Sequence, residues 1–209
     1  MARHDFGFTR KMDTPETNID RLLQARGEID ERLREHKTSV AVLFTDVVAS
    51  TEYFDRYGDT AGFAMVDRHA QLGARIVGEF GGRVIKTIGD SVMAEFADPA
   101  TCVRASVELQ RSLYEMNEKL PDRDRLQLRI GINVGSCFRQ GGDLFGDAVN
   151  LAARITKRTG PGQILISSSV HRAIQHESAL RCSRLGPLSF KGKQDTENVF
   201  EVLWTGLAC

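Results

Sequence analysis

The chain has 209 residues, 28 Lys plus Arg against 28 Asp plus Glu, and a hydrophobic fraction of 41%. That length suits one domain with a short extension, and the composition supports both a buried core and a charged surface. The zero net charge excludes broad electrostatic binding to nucleic acid, which needs surplus cations to displace counterions from phosphates.

Four scattered cysteines (Cys102, Cys137, Cys182, Cys209) form no CxxC pair and no zinc-ligand set. They point to a reducing compartment rather than a disulfide framework. The opening MARHDFGFTRKMD lacks the apolar run of a signal peptide, and no stretch is long enough for a membrane span. The expected location is cytoplasmic.

Residues 1–13 read as a polar arm. Thr14 and Pro15 suit the N-cap and first position of a helix, in which Ile19, Leu22, Ile29 and Leu33 recur at three- and four-residue steps, interrupted by Arg26. This pattern is too short to hold a coiled coil alone. It fits either the stub of a signalling helix that pairs beside the main domain or a helix packed on its own domain. The expected division is therefore 1–37 as arm and helix, and 38–209 as the main domain.

Beyond Lys37 strands and helices alternate. SVAVLF (39–44) predicts a buried strand ending at Thr45-Asp46. Asp59 to Phe80 predicts a long helix with Phe63, Val66, Ala70, Ile76 and Val77 on or near one face, stopped by Gly81-Gly82. RVIKT and SVMAEF predict a hairpin about Ile88-Gly89-Asp90. A second helix over 99–120, a strand over 126–135, a short helix over 147–157 and a strand over 163–167 follow, with strand candidates near 184–190 and 197–204. The β-α-β-β-α-β order predicts an α+β, ferredoxin-like core, an antiparallel sheet with helices on one face, plus C-terminal additions. His69 and Cys102 read as structural residues, and Trp204 as core.

Asp46, directly after a buried strand, and Asp90, in a hairpin turn, can converge at one sheet edge. Two close carboxylates repel unless a cation lies between them, which suggests Mg²⁺ or Mn²⁺. Each also has an ordinary alternative, Asp90 as a turn residue and Asp46 as a helix cap. Lys86 lies on the incoming strand of the same hairpin, where a solvated lysine is the ordinary alternative. Asn150 and Arg154 are four apart and share one helix face; they are either a simple polar stripe or, for the arginine, a group placed to meet charge developing at phosphorus.

FTDVVAST (44–51), VIKTIGDSVMAEF (84–96), GDLFGDAVNLAARI (142–155) and FKGK (190–193) occur in series. Together they resemble the class III adenylyl and guanylyl cyclase catalytic domain, over roughly Val40 to Trp204. The resemblance implies that Asp46 and Asp90, helped by the carbonyl of Val47, hold two divalent metal ions. It implies that Lys86 and Asp143 read adenine, that Asn150 orients the ribose, that Arg154 meets the α-phosphate, and that Lys191 grips the terminal phosphates. The expected reaction is ATP to cyclic AMP and pyrophosphate, in a homodimer whose sites combine residues of both copies. A cyclase for GTP, CTP or UTP, or a non-catalytic nucleotide-binding signalling domain, is the alternative. One position departs from the usual pattern: Ala49 stands where relatives often carry Gly, and an alanine fits there unless φ is positive.

Overall fold

A computed structural model describes residues 18–35, 37–189 and 196–205. They fall into two compact units, one holding the first helix and the other beginning at Lys37. In the first, α1 (Asn18–Glu35) displays Ile19, Leu22 and Ile29 in exposed positions. Its expected start at Thr14-Pro15 lies outside the described residues.

The second unit is built on a mixed sheet. In chain order it contains β1 (Lys37–Val47), α2 (Ser50–Glu79), β2 (Arg83–Ile88), β3 (Ser91–Phe96), α3 (Pro99–Glu118), β4 (Leu128–Gln140) and β5 (Asp143–Phe145). Then follow α4 (Asp147–Thr156), β6 (Ile164–Ser167), α5 (Ser168–Ile174), β7 (Cys182–Leu188) and β8 (Glu197–Val202). The sheet order is β2-β3-β1-β4-β6-β8-β7, with β5 paired to β4. Its first four strands, all antiparallel, are the expected ferredoxin-like core, and β6 joins β4 in parallel.

The alternation along β1 divides two cores. Ala41, Leu43 and Val47 face α2 and α3, together with Leu128, Ile130 and Ile132 of β4. Val40, Val42 and Phe44 face the other side with Met93, Leu144 and Ala152. Full burial of each large aliphatic side chain contributes roughly 1.5–3 kcal/mol, so both faces are strongly specified.

Several expectations change. The helices do not share one face, because α4 covers the side opposite α2 and α3. Gly131 and Gly135 make room for it: a Cβ on Gly131 would stand 2.3 Å from Thr156 Oγ1, and one on Gly135 3.0 Å from the Cβ of Ala148. Asn133, between them, donates to the Ala148 carbonyl at 2.9 Å. β1 does not stop before Asp46, since rungs to both β3 and β4 run through it. The 142–146 segment is not simply a loop, because β5 lies within it. α2 starts at Ser50 and breaks at Gly58, whose φ of 79° is non-helical. Phe63 is 71% exposed, and the buried side of α2 is instead Gly62, Met65, His69, Gly73, Ile76 and Val77. The Gly62 and Gly73 positions carry no apolar signal, which is why the periodicity drew attention to Phe63.

Candidate active site

Asp46 lies on the α4 side of β1, opposite Ser91 on β3 and Arg129 on β4. Ser91 donates to its Oδ1 at 2.5 Å, and the Nε of Arg129 donates to its Oδ2 at 2.6 Å. Asp90 directly precedes Ser91, in a two-residue turn that Gly89 enters with φ 59°. Asp46 and Asp90 therefore belong to neighbouring segments, the end of β1 and the turn that leads into β3. They line different clefts. Asp46 joins Ser91, Arg129, Thr156 and Lys157 in a cleft of about 320 Å³ beside α4. Asp90 joins Ser50 and Thr51 in one of about 580 Å³ beside the start of α2. Val47 buries its side chain in the core.

The donor set suits a hard divalent cation that takes part of its shell from substrate. Among the described residues no three His, Cys, Asp or Glu side chains cluster as a self-sufficient metal site. Mg²⁺ is commonly held by one or two carboxylates together with nucleotide phosphates and water, and two carboxylates are what this edge offers. Next to it, Ala49 is the N-cap of α2 and makes no side-chain cap, so the first-turn amides remain available to an anion. Ala49 has φ 56°, the left-handed conformation that its side chain disfavours.

Lys86 reaches the same sheet face through a β-bulge. The β2–β3 register shifts between Val84, opposite Ala94, and Lys86, opposite Met93. Without that shift Lys86 would share the side of Val84, towards α2. On the α4 side its ammonium donates to Asp143 Oδ2 at 2.5 Å, and Asp143 Oδ1 accepts from the amide of Leu144 at 2.8 Å. The Lys86 hydrogen bond holds the Asp143 carboxyl below its ordinary pKa. The β4–β5 hairpin that carries Asp143 is also fastened at Glu95, a nearly buried carboxylate bracketed by Arg83 at 2.7 Å and Arg139 at 2.7 Å.

α4 supplies the remaining groups. Ala148, Leu151, Ala152 and Ile155 are buried, whereas Asn150 is exposed. Arg154 Nη1 is buried and lacks a hydrogen-bond partner among the described residues. A guanidinium nitrogen left in that state suits an anionic group arriving from outside the chain. Lys191 lies outside the described residues.

The sequence reading missed Arg129, Ser91, Glu95 and Arg139. Arg129 had a signal, a cation within the apolar alternation of LQLRIGINVG, but its partner emerges only from the β1–β4 register.

This arrangement is the mixed α+β fold of the class III nucleotide cyclases. The structure of the adenylyl cyclase CyaB from P. aeruginosa superimposes with a TM-score of 0.72 at 22% identity, covering 80% of this chain and 94% of that one. An adenylate/guanylate cyclase/hydrolase from Silicibacter pomeroyi gives 0.67 at 29% identity, covering 79% and 96%. Residues 33–202 match the Adenylate and Guanylate cyclase catalytic domain, and the chain belongs to that family. An adenylate cyclase of Glutamicibacter nicotianae is 29% identical over 163 residues, 78% of this chain and 39% of that protein. The chain spans less than two-fifths of the length of such curated relatives, falling to 23% for one from Rhizobium meliloti. Among the described residues no helix is long and apolar enough to cross a membrane.

Proposed function

We propose that this chain is an adenylate cyclase, converting ATP into 3′,5′-cyclic AMP and pyrophosphate at sites shared by two copies. The observation that carries the choice of base is the Lys86–Asp143 pair. An ammonium donates to adenine N1, and a carboxylate accepts from the 6-amino group. Guanine presents N1–H and O6 instead, and would leave both groups mismatched at roughly 1–3 kcal/mol each.

Asp46 and Asp90 would hold two divalent ions, with the Val47 carbonyl as a further oxygen donor. Ions held there would supply Lewis acidity for the ribose 3′-hydroxyl and positive charge for the triphosphate. O3′ bonds to the α-phosphorus, the bond to the β-phosphate bridge breaks, pyrophosphate leaves with the electron pair, and the hydroxyl proton passes to water. Asn150 orients the ribose, and Arg154 meets the charge that grows on the α-phosphate. Lys191 is assigned to the terminal phosphates.

Shared sites are supported by the direction of α4, which buries its alanine side on its own sheet and exposes Asn150. Asn150 lines neither the Asp46 cleft nor the Asp90 cleft of its own chain. An isologous two-fold pair would form two equivalent sites. The test is chromatography of products after incubation with ATP, GTP, CTP or UTP, each with Mg²⁺ and with Mn²⁺. Cyclic AMP from ATP, absent in Asp46→Ala, is expected. Another cyclic nucleotide would overturn the reading of the base, and no product from any substrate would favour a nucleotide-binding signalling domain.

A further inference from the structure

Thr45 and Asp46 are consecutive on β1 and point to opposite faces. Asp46 looks towards α4, while Thr45, fully buried, looks towards α2 and contacts His69. The Thr45 Oγ1 to His69 Nε2 distance is 2.8 Å, and His69 is 1% exposed. Its Nδ1 is buried with no partner at hydrogen-bond geometry, although the backbone and carboxylate of Asp90 lie close enough to act on the ring, as does Asp46. α2 also approaches the sheet closely here, since a Cβ on Gly73 would already touch Val92 at 3.6 Å.

A buried imidazole with one satisfied nitrogen is a costly way to fill a core. Apolar side chains in place of both Thr45 and His69 would pack there without an unmade hydrogen bond. The ring lies near both carboxylate-bearing segments, the end of β1 and the β2–β3 turn, and does not line the cleft that Asp46 lines. A neutral imidazole carries one N–H and one lone pair. If Thr45 donates to Nε2, the N–H sits on Nδ1, on the side of Asp90.

We propose that His69 is a positioning residue for the divalent-metal site: Nε2 fixes the strand end that carries Asp46, and Nδ1–H is held ready for the main-chain carbonyl of Asp90. The inference rests on the reading that Asp46 and Asp90 bind the ions. Ser91, directly after Asp90, is already paired with Asp46, so a hydrogen bond from Nδ1–H to the Asp90 carbonyl would hold the turn beside the end of β1. Groups behind the ligands of a metal site commonly change affinity 10–100-fold when removed.

The test is Mn²⁺ binding to the protein in the presence of 3′-deoxy-ATP, whose missing hydroxyl prevents turnover, read as the loss of free-ion EPR signal beyond that caused by the same nucleotide without protein. Thermal unfolding without metal is recorded in parallel. His69→Leu is expected to fold, at an unfolding temperature lowered only modestly by the orphaned Thr45 hydroxyl, and to bind Mn²⁺ at least tenfold more weakly. His69→Gln, which keeps one donor and one acceptor, should recover most of that loss. Thr45→Val removes the same link from the other side and serves if His69→Leu does not fold. Unchanged Mn²⁺ affinity in a folded His69→Leu or Thr45→Val protein, with binding lost in Asp46→Asn and Asp90→Asn, would overturn the positioning role alone. Mn²⁺ binding that survives both Asp→Asn changes would overturn the metal-site reading beneath it.

Discussion

Arg129 and Asp46 face each other across the β1–β4 rung and are joined by a hydrogen bond of 2.6 Å from Nε. The guanidinium thus neutralises the carboxylate assigned to metal, and cation binding has to compete with it. Arg129→Gln should tighten Mn²⁺ binding measured without nucleotide by several-fold, because removing a neighbouring positive charge leaves the carboxylate more attractive to a cation. Asp46→Asn should lower cyclic AMP formation by at least a hundredfold while leaving the circular dichroism spectrum unchanged. Arg129 would still have an amide oxygen to bond, so folding is spared.

The base preference should be reversible by exchanging hydrogen-bond roles. Lys86→Glu alone sets two carboxylates together, so the informative variant is Lys86→Glu with Asp143→Ser. It offers an acceptor to guanine N1–H and a hydroxyl donor to O6. The ratio of GTP to ATP turnover should rise about 10–100-fold in competition assays with both nucleotides.

Two inactive chains should repair each other. Asp46→Ala and Asn150→Ala subunits mixed at random form half their pairs as hybrids, each with one intact site of two. Activity should return to about a quarter of wild type, read from cyclic AMP formed before and after subunit exchange.

Ala49 carries its strain at φ 56°. Replacing it by Gly removes the clash of Cβ with the backbone but adds freedom to the unfolded chain. Ala49→Gly should therefore stabilise the fold by about 0.5–1 kcal/mol, measured by urea unfolding.

Asp98 caps α3, accepting from the Thr101 amide at 2.8 Å, and the Thr101 hydroxyl does most to hold its carboxyl below the ordinary range. The unfolded chain then binds the proton more readily than the folded one. The contribution is complete at pH well above about 4 and is lost as pH falls through the folded value. Being largely exposed, the group should account for only a fraction of a kcal/mol. Urea midpoints between pH 7 and pH 3 should fall less steeply in Asp98→Asn, which keeps the cap without the titration.

The core order of strands and helices was legible because each element has its own period and is closed by glycines or proline. The four motifs named the family, which residues 33–202 match. What escaped depends on small or distant partners. Gly131 and Gly135 carry no hydrophobic signal, yet they admit α4 to the second face. The register shift before Lys86 is a backbone irregularity within RVIKT that alternation cannot reveal. Thr45 and His69 are far apart in the chain, and neither looks special until β1 and α2 are stacked. The warning over Ala49 was legible; its positive φ was not.

The β2–β3 hairpin carries Lys86 on one strand and Asp90 at its tip. With sites divided between two copies, those residues of a single hairpin would serve different nucleotides. A base drawn against Lys86 on one side would tug the metal-bearing tip on the other, so the two sites would report their occupancy to each other along one stiff lever. Cooperativity would then be a property of the hairpin, with no separate sensor required.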